Sequence, residues 1–85
     1  LEYRTLRGMI YLAQEQYELG LRDLESVAKE KSVTTAQFDL ALAEGYIGIN
    51  DYNMARRFYE LSMKKNGDGQ QLDAARLARV ESKLR

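Results

Sequence analysis

An all-α fold of two antiparallel helix hairpins followed by a terminal helix is what this 85-residue sequence predicts, from three observations. Apolar residues recur at spacings of three and four along five segments, which is the period of a helix with one buried stripe. Proline is absent and glycine occurs only six times, too few turn formers for a strand-rich sandwich. Shifting residues 1–33 by 35 positions also lays one half of the chain on the other, so the sequence repeats a helical unit.

The first helix is expected over about 2–14, with Leu6, Met9, Ile10 and Ala13 on one stripe. A second, from about 18 to 31, carries Leu21, Leu24, Val27 and Ala28 and ends on Lys29 and Lys31, where positive charge complements the helix dipole. The junction Ala13–Tyr17 holds neither glycine nor asparagine, which leaves one long bent helix open. Ser32–Thr35 is a break, and Thr34 with Gln37 has the pattern of a capping box. A third helix over about 35–48 sets Phe38, Leu42, Ala43 and Tyr46 on one face, then closes in the turn Gly48–Asp51.

The fourth helix has both ends written in. Asp51 is its expected N-cap, Met54, Ala55, Phe58, Leu61 and Ser62 its apolar face, Lys64 and Lys65 its last turn, and Asn66-Gly67 its stop. The fifth, from about 70 onward, has a thinner apolar line of Leu72, Leu77, Val80 and Leu84 among Arg76, Arg79, Lys83 and Arg85.

A chain this short builds one modest core, so residues 1–85 are read as a single domain: repeat one about 1–33, repeat two about 35–68, terminal helix about 70–85. The opening Leu1 suggests a piece of a longer protein. Thirteen basic and thirteen acidic residues cancel, which argues against a nucleic-acid binder, and no apolar run is long enough to span a membrane. Cysteine and histidine are both absent. With them go disulfides, thiolate nucleophiles, the usual metal ligands and the commonest general base. The acids are spread along the helices, so no enzyme activity, metal or cofactor is expected. The compartment stays open.

In the shifted overlay Tyr11 falls on Tyr46, Tyr17 on Tyr52, Leu24 on Tyr59, Gly8 on Ala43 and Gly20 on Ala55. The small residues are placed to let the two helices of each hairpin approach closely. In its second unit, Leu42-Ala43, Tyr46, Asn50-Asp51-Tyr52, Ala55 and Phe58-Tyr59-Glu60, the chain resembles the tetratricopeptide repeats. The first unit keeps Gly8, Tyr11, Tyr17, Gly20 and Leu24 but departs at Arg4, Arg7 and Glu15, where that family carries apolar residues and a turn glycine. Both units lack the terminal proline, with Ser32 and Gly67 in its place. Leu77-Ala78 repeats the leucine-small pair, so the last helix resembles half a repeat or a cap.

The resemblance implies a right-handed α-solenoid segment whose first helices form a concave peptide-binding face. It places Glu2, Thr5, Met9, Leu12 and Ala13, then Gln37, Leu40, Glu44 and Ile47, then Leu72, Arg76 and Arg79 on that face. Family members that clamp a chaperone's terminal carboxylate use lysine, arginine and asparagine at positions occupied here by Thr5, Met9, Ala41 and Leu72, and only Arg76 fits. That ligand is therefore not expected. The implied function is a protein-interaction module. A purely structural solenoid cap, or a helical appendage of a protease or secretion component, remains an alternative, with Met9, Leu12, Leu40 and Ile47 packing against a neighbouring repeat. Self-association is expected through Leu1, Leu6 and Ile10 at one end or Leu77, Val80 and Leu84 at the other.

Overall fold

The structure, a computed structural model, describes residues 3–31, 34–66 and 71–84, and the side chains of all of these except 66 and 71–74. The described residues form five α-helices and no strand: α1 (Tyr3–Ala13), α2 (Tyr17–Glu30), α3 (Ala36–Gly48), α4 (Tyr52–Asn66) and α5 (Gln71–Lys83). α1 packs on α2 and α3 on α4; α3 also lies against both α1 and α2, and α5 lies on α4.

The unmarked junction is a turn, not a bend. Glu15 takes a left-handed conformation with φ 63°, Glu15 N–H donates to Leu12 O at 3.0 Å and Gln16 N–H to Tyr11 O at 2.8 Å. That pair of bonds around a left-handed residue is the Schellman ending of a helix. Thirty-five residues on, Asn50 has φ 64°, with Asn50 N–H on Ile47 O at 3.0 Å and Asp51 N–H on Tyr46 O at 2.9 Å. The repeat seen in the sequence thus extends to the backbone bonds of its two turns. Asparagine tolerates this conformation and glutamate does so poorly. Glu15→Gly is therefore expected to stabilise the chain by about 1 kcal/mol, read as a rise in the urea midpoint; an unchanged or lower midpoint would show that the turn does not hold Glu15 under strain.

Small residues set the crossing of each hairpin, as expected. Ala43 and Ala55 are both 0% exposed. A Cβ on Gly20 would lie 2.8 Å from Gly8 O, and one on Gly8 would lie 3.0 Å from Gly20 O, so backbone meets backbone there. Stepping outward from that crossing in opposite directions along α1 and α2 brings Arg7 level with Asp23 and Arg4 level with Ser26 and Glu30. Arg7 grips Asp23 with two bonds of 2.7 Å, from Nε and Nη2, and stands over the Tyr3 ring. Arg4 reaches Ser26 Oγ at 2.8 Å and both oxygens of Glu30. These hydrogen bonds hold the Asp23 and Glu30 carboxyls below the usual carboxylate range. Two of the three departures from the repeat pattern, Arg4 and Arg7, thus each make a charged pairing across the hairpin.

α3 is the central helix, and the expectation of a single apolar face on it is corrected. Phe38 and Leu42 join Leu21, Leu24 and Val27 in one cluster, while Ala43 joins Ala55, Tyr59 and Val80 in a second. Helices on more than one side require more than one buried face. On α4 the buried line is Ala55, Tyr59 and Ser62, with Met54 and Phe58 half-buried beside it and Leu61 38% exposed. Leu61 falls outside the expected stripe because the interhelix contact is centred on Ala55, four and seven residues before Tyr59 and Ser62.

The caps are as expected on α4 and shifted on α3. Met54 N–H donates to Asp51 Oδ1 at 3.3 Å. On α3 the cap is Thr35, whose Oγ1 accepts from Phe38 N–H at 3.0 Å, so the capping box assigned to Thr34 and Gln37 is displaced. Thr34 is diverted to a buried carboxylate: its Oγ1 donates to Asp39 Oδ1 at 2.8 Å and accepts from Lys65 Nζ at 2.8 Å. The stop at Asn66-Gly67, with Leu1, Glu2, Ser32, Val33, the Leu72 side chain and Arg85, lies outside the described residues or side chains.

Candidate functional site

Nine of the residues assigned to a concave face line two neighbouring hollows. The first, about 420 Å³, lies between α1 and α3 and is lined by Met9, Leu12, Ala13, Tyr17, Gln37, Leu40, Ala41 and Glu44. Six assigned residues come together here: Met9, Leu12, Ala13, Gln37, Leu40 and Glu44. Their spacing explains this, since 9, 12 and 13 share one side of α1 while 37, 40, 41 and 44 share one side of α3. The floor is apolar, with one amide and one carboxylate at the edge.

The second hollow, about 230 Å³, lies where α5 meets α4 and the end of α3, and Ile47, Tyr52, Tyr59, Arg76, Arg79, Val80 and Lys83 line it. It takes three more assigned residues, Ile47, Arg76 and Arg79. An ion pair joins the hollows: Arg76 Nη1 lies 3.4 Å from Glu44 Oε1. Both side chains are substantially exposed, so this contact positions more than it stabilises.

Thr5 lines neither hollow. It is 5% exposed, buried in α1 together with Gly8. Tyr17, which the sequence reading placed only in packing, enters the first hollow. Its ring lies over Gly48, where a Cβ would come within 2.3 Å of Cγ. The aromatic at the start of α2 and the glycine at the end of α3 were both legible; their contact depends on how the hairpins sit together.

Two further pairings were not foreseen from the sequence. Asp39 is 2% exposed, with Lys65 Nζ 2.6 Å from its Oδ2, off the direction of a good hydrogen bond, so that contact is an ion pair. Tyr46 stacks on Phe58 with ring centres 5.7 Å apart and donates its hydroxyl to Glu25; burial, then that bond, pushes its pKa upward. Neither group opens onto the two hollows. Among the described residues no cluster of three or more potential metal ligands occurs, and no helix is long and apolar enough to cross a membrane.

Comparison with protein-family models, with curated proteins and with solved structures finds no match to this chain. The functional reading therefore rests on the chain's own residues and geometry.

Proposed function

We propose that the chain is a tetratricopeptide-like protein-interaction module that binds a peptide segment of a partner along the face formed by α1 and α3. The observation that carries this is the 420 Å³ hollow, in which Met9, Leu12, Gln37, Leu40 and Glu44 converge on an apolar floor with a polar edge. Such a hollow suits an apolar side chain of an extended or helical segment, with Gln37 and Glu44 placed to meet the peptide backbone or a cation. The duplicated turns at Glu15 and Asn50 support the repeat reading.

A second reading, packing against a further helix, is favoured by one observation. Tyr3, Leu6 and Ile10 are 69%, 45% and 55% exposed on one helix, whereas Phe38, Ala41 and Gly45, their partners in the 35-residue overlay, lie against or beneath the preceding hairpin. One experiment separates the two readings. A partner segment is selected by peptide display against the whole 85-residue chain, and its amide shift changes are mapped. Peptide binding on the proposed face moves Met9, Leu40 and Glu44, and Leu40→Glu weakens it by about tenfold or more; shifts centred on Tyr3, Leu6 and Ile10 instead, with no loss in Leu40→Glu, would replace the groove by the packing surface.

A further inference from the structure

The smaller hollow differs in kind from the larger one. Its floor is Ile47, Tyr52, Tyr59 and Val80, of which Tyr59 and Val80 are each 2% exposed. Its rim is cationic: Arg76, Arg79 and Lys83 succeed one another at spacings of three and four, so they stand on one side of α5. Glu44 pairs with Arg76 at 3.4 Å. Among the described residues Arg79 and Lys83 line the hollow with no ion-pair partner. The chain as a whole is neutral, so this is a local excess of charge and not a general one.

We propose that this hollow binds an acidic peptide segment, seating one apolar side chain on the floor while flanking carboxylates meet Arg79 and Lys83. The inference deepens the reading of a peptide-binding face, and rests on it, by naming the chemistry of the segment. Size supports a side chain over a free small molecule, because 230 Å³ falls below the roughly 300–1,000 Å³ of typical ligand pockets. Charge supports an acid. A carboxylate beside an apolar floor meets the two cations in a medium less polarisable than water, where their attraction is larger than on an open helix. The Glu44–Arg76 pair stands between the two hollows, so a segment crossing from one to the other passes an acid first and then the cations; this sets the direction in which its own charges are arranged.

The test uses the whole chain and two synthetic peptides. One has a leucine flanked on each side by two aspartates; the other replaces each aspartate by asparagine. Fluorescence anisotropy at about 50 mM salt is expected to show the acidic peptide binding about tenfold more tightly than the neutral one, with the difference shrinking as salt rises. Arg79→Glu with Lys83→Glu should abolish that preference, and Arg79→Lys with Lys83→Arg should keep most of it. Equal binding of the two peptides, no detectable binding of the acidic one, or an undiminished preference in the doubly reversed variant would each overturn the inference. The larger hollow reports separately. If Leu40→Glu removes a displayed partner segment while the acidic preference is absent, the peptide-binding face stands and the acidic specificity does not; if Leu40→Glu changes nothing but the preference is present, the reverse holds.

Discussion

Lys65→Met is expected to lower the stability of this chain by roughly 3 kcal/mol, the low end of what breaking a buried ion pair costs, because one partner is itself partly open to water. Asp39 has a side chain only 3% exposed, and Lys65, at 34%, supplies the charge facing its Oδ2 at 2.6 Å. The same ammonium donates to Thr34 O and Thr34 Oγ1, each at 2.8 Å, and so ties the entry of α3 to the last turn of α4. Methionine keeps the apolar stem and removes the charge, leaving Asp39 with the single bond from Thr34 at 2.8 Å. In a domain whose whole stability is of order 5 kcal/mol, that loss is large. Replacing both partners, Asp39→Leu with Lys65→Met, should recover much of it, since no charge is then left in the interior. A double-mutant cycle by urea denaturation measures the coupling. If the two single effects simply add, the contact contributes nothing of its own.

Gly20→Ala should destabilise by about 2 kcal/mol, although in an open helix interior the same change stabilises by about 1 kcal/mol. The sign reverses because the new methyl has no room. Its Cβ would lie 2.7 Å from Leu12 Cδ2 and 2.8 Å from Gly8 O. Leu12 can rotate away; a helix carbonyl cannot move without moving α1. Combining Gly20→Ala with Leu12→Ala is therefore expected to bring no rescue, only the added cost of lost apolar contact. A denaturation midpoint that rises in Gly20→Ala would mean that α1 and α2 cross elsewhere.

Legible in the chain alone were the helical character of the five segments, the turn between α3 and α4, and which small residues mark the hairpin crossings. These are local or nearly local matters: the three-four period of apolar residues, the Asp51 cap, and the overlay of Gly8 and Gly20 on Ala43 and Ala55 depend on spacing along one chain. Even the Arg7–Asp23 pair was within reach, because the glycine crossing fixes which residues of α1 and α2 stand level. Glu15 concealed its turn, since the residue type expected at a left-handed position was missing while the backbone bonds were not.

What surrounds each helix is settled by the packing of the hairpins. It made α3 central, which buried Asp39 and required Lys65 from a helix 26 residues further on to answer it. It buried Thr5, and it divided one assigned surface into an apolar hollow and a cationic one. Periodicity states which side chains share a face but not how many neighbours that face will meet. The number is set by how hairpins pack, through contacts between residues far apart in the chain, and the pattern within one helix carries no record of it.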